Sequence, residues 1–113
     1  MVRVKLGFKI WLESDEGYVF GEGPFNVLQK ISELGTLRRA TEDLGMSYRY
    51  AWGLIKEIEH NLGVPLLKTH KGGVRGGGWS VLTDEAQELL KKYQLAEKTL
   101  IEISQPLNAE LAR

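Results

Sequence analysis

"TLRRATEDLGMSYRYAWGLIKEIEHNLG", residues 36–63, is the stretch on which the fold turns. Thr36 is a good N-cap for a short helix that carries Leu37, Ala40 and Leu44 on one side. Gly45 closes that helix, Met46 can plug into a core, and Ser47 caps a longer helix that follows. Two helices joined by a glycine-containing turn of about three to four residues form a helix-turn-helix pattern. A plain helical hairpin with a short loop is the competing reading.

The second of these helices separates its faces cleanly. With Ala51 at zero on a 100° wheel, Ile55, Ile58 and Leu62 fall within roughly 40° of it and Leu54 about 60° to one side. Opposite lie Arg49, Gly53, Lys56 and His60, with Tyr48 and Trp52 on the shoulder. A mid-helix glycine costs about 1 kcal/mol against alanine, so its presence suggests close approach by something bulky. Positive charge, aromatics and close approach suit a helix lying in a DNA major groove. Arg49 is the expected base reader, because its fork can pair bidentately with guanine, and Lys56 is expected to meet a phosphate. Trp52 has a second reading, folded over the neighbouring helix or the first strand, and Tyr48 could be a core-edge residue with a wet hydroxyl. His60 is expected to be plain surface.

Outward from this centre, the rest of the chain follows. Before it, Val2, Val4, Leu6, Phe8, Ile10 and Leu12 alternate with Arg3, Lys5, Gly7, Lys9 and Glu13, the period of a half-buried strand. "SDEG" is a turn and "YVF" returns as the second strand of a hairpin. Pro24 is expected at the first position of a helix that carries Val27, Leu28, Ile31 and Leu34 and ends at Gly35. After the centre, "VPLLKTH" and "GWSVL" are strand-like, with the glycine-rich "KGGVRGGG" between them. Thr83 then caps a long helix whose apolar residues fall in heptads: Ala86, Tyr93, Leu100 and Leu107 in one row, Leu89, Ala96 and Ile103 in the other. Pro106 is expected to end or kink it.

Composition narrows the function classes. The chain has 113 residues, one domain's worth, and no cysteine, which removes disulfides, thiolate metal sites and cysteine nucleophiles. That absence is compatible with a reducing cytoplasm, the expected location. The opening segment lacks a continuous apolar run, so neither a signal peptide nor a membrane partner is expected. The formal net charge is zero, but residues 1–35 hold four basic and five acidic side chains, residues 36–80 seven and four, and residues 81–113 four and six. The positive excess sits where the helix-turn-helix does, and a local field steers a polyanion. Within residues 68–79, Lys68, Lys71 and Arg75 stand with His70 and no acid.

No catalytic constellation emerges. His60 and His70 have no carboxylate partner at a metal-ligand spacing, and "GGVRGGG" is not followed by the Gly-Lys-Ser/Thr of a phosphate loop. No enzyme activity, cofactor or metal is expected. Two other readings stay open: a protein-interaction module, and a weak anion sensor using the glycine-rich loop as a nest.

Residues 21–93, with "LGMSYRYAW", "GGVRGGG" and the "LT" that opens the last helix, resemble the N-terminal DNA-binding domain of the ModE family of molybdate-responsive regulators. "LGMS", "IEHNLGVPLL" and "LTDEAQELL" resemble, more distantly, the LysR-type regulators. The resemblance implies a mainly α fold with a small β part. That fold is a winged helix-turn-helix with an N-terminal β-hairpin (1–23), a three-helix core (24–63), a wing (64–82) and a long C-terminal dimerisation helix and tail (83–113), in a single domain. It implies a homodimeric, sequence-specific transcriptional regulator bound to a pseudo-palindromic operator on double-stranded DNA. A non-specific architectural DNA binder is the other DNA-bound alternative. The DNA-binding residues would be Arg38, Arg39, Ser47, Tyr48, Arg49, Trp52, Gly53, Lys56, Lys68, His70, Lys71 and Arg75. Ala86, Leu89, Tyr93, Ala96, Leu100 and Ile103 would make the dimer. Family members with the full architecture continue into molybdate-binding domains. This chain stops at Arg113, so neither molybdate nor another oxyanion is expected to bind it.

Overall fold

The computed structural model describes residues 2–71 and 78–113. In chain order its elements are β1 (Trp11–Ser14), β2 (Gly17–Gly21), α1 (Glu22–Leu34), α2 (Leu37–Leu44), α3 (Tyr48–Leu62), β3 (Leu67–His70), β4 (Trp79–Leu82) and α4 (Asp84–Leu111). The strands form two separate antiparallel pairs, β1 with β2 and β3 with β4. The three short helices and the wing pair β3–β4 together make a winged helix-turn-helix.

Local chemistry sets the helix boundaries. Thr36, Ser47 and Thr83 each accept a backbone N–H three residues on, from Arg39, Tyr50 and Ala86. Gly35, Gly45 and Gly63 end the first three helices at φ of 90°, 67° and 69°, a conformation that a side chain would strain. Lys30 locks α1 to α2, its ammonium 3.0 Å from Asp43 and 3.3 Å from Glu33. These hydrogen bonds, Asp43 first, raise its pKa above the ordinary lysine value.

The core lies where the hairpin and all four helices meet. Phe20, Val27, Leu28, Ile31, Ala40, Ala51 and Leu66 are fully buried, and Ile55 and Ile58 nearly so. Phe20 meets the Tyr93 ring edge-on at 5.9 Å, and Phe25 lies 4.7 Å from the same ring. Thr83 joins three elements: its hydroxyl donates to Pro65 O at 2.8 Å while accepting from Ala86 N, and its own amide donates to Leu66 O. The wing is held at its other strand by Ser80 N donating to Gly35 O at 2.7 Å. No side-chain polar atom among the described residues is buried without a partner.

Four expectations are corrected. The alternation over residues 2–12 does not make a long strand: residues 2–10 run without a ladder, and β1 starts only at Trp11. A ladder needs a neighbour, and β2 ends at Gly21, opposite Trp11, where the chain turns into α1. Pro24 is the third residue of α1, since the helix begins at Glu22; the missing N–H costs nothing anywhere in a first turn. Of the two outcomes expected at Pro106, ending α4 is excluded, since the helix continues to Leu111; a proline φ is itself helical, and the cost is one forfeited hydrogen bond and crowding of the carbonyl four residues back. Finally, Ala86 and Tyr93 are buried in the chain's own core rather than set out on the surface of the last helix, while Leu89 packs against that core and stays partly exposed.

Beyond Tyr93, α4 leaves the body of the domain. The Cα radius of gyration is 17.2 Å, against about 13 Å for a compact chain of this length. Leu100, Ile101, Ile103, Leu107 and Leu111 are exposed along the projecting part.

Candidate nucleic-acid interface

The reading-helix candidate, α3, is anchored by Ala51, Ile55 and Ile58 on its buried side. That leaves Arg49, Trp52, Gly53, Lys56 and His60 on the exposed side. Trp52 does not fold into the core; it stays 48% exposed. Its ring carries the Lys56 ammonium 5.6 Å from the centroid. Tyr48 is likewise exposed and lies under the Arg38 guanidinium, 4.9 Å from its ring centre. A Cβ built on Gly53 meets nothing within 4 Å. Packing among the described residues therefore gives no reason for glycine at this position.

Between α2, α3 and the wing lies an open groove of about 940 Å³, bordered by Arg38, Arg39, Tyr48, Trp52, Lys56, Thr69 and Trp79. Lys68 and His70 are on β3 and Lys71 follows it, all exposed. His70 stacks on Trp79 across the wing pair, with centroids 5.0 Å apart and planes at 18°. Arg75 lies outside the described residues. Ser47 caps α3 by accepting the Tyr50 N–H through its hydroxyl oxygen, which leaves its own O–H able to donate to an anion at the helix N-terminus.

One carboxylate couples helix and wing. Glu59 accepts from Leu66 N at 2.7 Å through one oxygen and holds the Lys56 ammonium at 3.1 Å through the other. Lys56 is therefore oriented by Trp52 and Glu59 together rather than swinging freely. The i, i+3 spacing of Lys56 and Glu59 was readable in the sequence. The link to the strand was not, because the partner is a backbone amide seven residues away.

Sequence reasoning also passed over Tyr50, which is 60% exposed on the flank of α3 away from the wing. There the N-terminal hairpin approaches: partial burial, then Tyr50 and Glu57, push the Tyr18 phenol above its ordinary pKa. A Cβ at Gly21 would stand 2.8 Å from the Tyr18 hydroxyl oxygen, so glycine there makes room for this ring. The exposed face of α3 is thus flanked by the wing on one side and the β1–β2 hairpin on the other. No group of three or more potential metal ligands occurs among the described residues, and none of their helices is long and apolar enough to cross a membrane.

Comparison with known proteins agrees with this geometry. The family described as "Bacterial regulatory helix-turn-helix protein, lysR family" matches residues 25–87. The transcriptional regulator ModE of Haemophilus influenzae is 34% identical over 73 residues, covering 65% of this chain and 28% of that protein. The DNA-binding transcriptional dual regulator ModE of Escherichia coli K12 is 33% identical over 95 residues, covering 77% and 36%. Among solved structures, the full-length LTTR LysG of Corynebacterium glutamicum superposes with a TM-score of 0.59 at 20% identity, over 79% of this chain and 29% of that one. The chain spans about a third of the length of these curated relatives.

Proposed function

The chain belongs to the lysR family of bacterial regulatory helix-turn-helix proteins, and from that membership we propose that it binds duplex DNA sequence-specifically, as a symmetric homodimer, to regulate transcription. The observation that carries this reading is the exposed side of α3. Arg49 and Lys56 stand there beside a glycine whose added Cβ would meet nothing within 4 Å among the described residues. In this reading α3 enters the major groove and Arg49 contacts a base edge. Lys56, Lys68 and Lys71 contact phosphates, as Arg75 would, and Arg38 and Arg39 reach the backbone from α2. Two reading helices would occupy successive grooves about 34–36 Å apart, or a multiple of that.

Selection from a random duplex pool at about 150 mM salt, where non-specific binding is already weakened, tests this directly. An enriched inverted repeat with that spacing is expected. Salt-sensitive binding without enrichment would replace the reading with an architectural one, and no binding would leave a protein-interaction module. On the selected site, Arg49→Ala is expected to cost about 1–3 kcal/mol and to relax preference at one base position. An equal loss on every sequence would reduce Arg49 to a backbone contact.

Gly53→Ala separates function from fold by the sign of its two effects. With open space around the new methyl group, the variant is expected to be more stable by about 0.5–1 kcal/mol, measured by urea unfolding. Its affinity for the same site should fall by about 1 kcal/mol or more, because the methyl group intrudes on the DNA contact. Unchanged affinity would mean that DNA does not come close to α3 at this point.

A further inference from the structure

Residues 2–10 carry the period and the β-branched and aromatic content of a strand, yet they have no ladder partner among the described residues. They are anchored by the amide of Leu6, which donates to Asn108 Oδ1 at 2.8 Å. That bond lays the segment against the projecting half of α4, where Ser104 is buried although its neighbours on the helix are exposed. Val2, Val4, Leu6 and Phe8 nevertheless remain exposed, Val2 by 88% and Phe8 by 43%. On the helical wheel, Leu100, Ile103 and Leu107 lie roughly 40–140° around from Ser104 and Asn108. The two unpartnered apolar rows are therefore neighbours along one edge of the molecule, a continuous patch of a kind that monomeric proteins seldom expose.

We propose that residues 2–10 are a dimerisation arm: together with the projecting half of α4 they form one composite apolar face, and its occupant is the same face of a second copy. This rests on the homodimer proposed above and adds the arm to it. Charge argues for a second copy over an unrelated partner. The arm carries Arg3, Lys5 and Lys9 and no acid, whereas the projecting part of α4 carries Glu97, Glu102 and Glu110 against the single base Lys98. Glu110 pairs with Arg113, and none of the other six is in an ion pair among the described residues. A two-fold axis sets the basic arm of each copy beside the acidic helix of the other, which satisfies both signs with a single self-complementary contact. The extended backbone of the arm, largely without partners among the described residues, gains hydrogen-bond partners in the same event.

The test compares wild type, Ile103→Asp and the double variant Val4→Glu/Phe8→Glu by sedimentation velocity across concentration. Hydrogen exchange of the wild type is followed over the same range. The arm predicts a wild-type dimer that the double variant weakens by about 100-fold or more, since it places charge in an apolar contact. It also predicts that amides 2–10 of the wild type gain protection as dimer forms, a reading that needs no variant to fold. A dimer lost in Ile103→Asp but intact in the double variant, with no protection of amides 2–10, overturns the arm and leaves the α4 dimer standing. A wild type that is monomeric throughout overturns both. Protection of the arm that appears only on adding DNA assigns Arg3, Lys5 and Lys9 to phosphates and overturns the arm's role between copies.

Discussion

Ile103→Asp is expected to leave the chain folded and to lower its affinity for an inverted-repeat site by a factor on the order of 10²–10⁴, the advantage that linking two binding modules confers. Ile103 is 66% exposed, so an aspartate there removes almost nothing from the packing of one chain. In a dimer closed along this face of α4 the same position is buried once from each copy. Two carboxylates would then be desolvated in an apolar contact, and the association gives way. Sedimentation should show a monomer at concentrations where the wild type is dimeric. A binding isotherm should keep only the weak, steeply salt-dependent component of a single module. A dimer that persists in sedimentation would place the interface on another face.

Phe20→Ala is expected to cost about 3–5 kcal/mol of folding free energy, the usual range for removing a buried ring. Phe20 is fully buried, and its ring packs edge-on against Tyr93. It ties the hairpin to α4, and its loss opens a cavity beneath the N-terminus of α1. Against a typical domain stability of about 5–15 kcal/mol this is a large fraction. Urea unfolding should show a lower midpoint with an unchanged slope, as expected when stability alone changes. A cost below about 1 kcal/mol would mean that the hairpin is an appendage rather than a part of the core.

What the sequence disclosed, and what it withheld, divides along a physical line. The caps at Thr36, Ser47 and Thr83 and the terminating glycines at 35, 45 and 63 are local chemistry, complete within a few residues. They could be read directly, as could the 3.6-residue spacing that buries Ala51, Ile55 and Ile58. Residues 2–10 mislead for the opposite reason. Alternation records which residues suit a strand, but a strand exists only where another backbone is offered. The heptads of the last helix were ambiguous in a similar way. Over two turns a heptad and an ordinary amphipathic period coincide, so Ala86 and Tyr93 could face the domain or a partner, and they face the domain. On the candidate interface, residue types and helical angles placed Arg49, Trp52, Gly53 and Lys56 together on one exposed side. The pairing of Arg38 with Tyr48 and the bridge from Glu59 to the wing depend on how two elements cross, and no pattern within one helix encodes that.

The hydroxyl of Thr83, shared between the wing and the first turn of α4, fixes a lever at its fulcrum. A helix of 28 residues is about 42 Å long, so a tilt of about 5° at Thr83 carries its far end through nearly 4 Å. That distance is about one base-pair step along a duplex. In an assembly joined near the far end of α4, the distance between two reading helices would be gauged by the hydrogen bonds at Thr83 together with the packing of Ala86, Leu90 and Tyr93 behind them. A small loosening there would be read out as a change in the spacing of the DNA sequence that the protein can straddle.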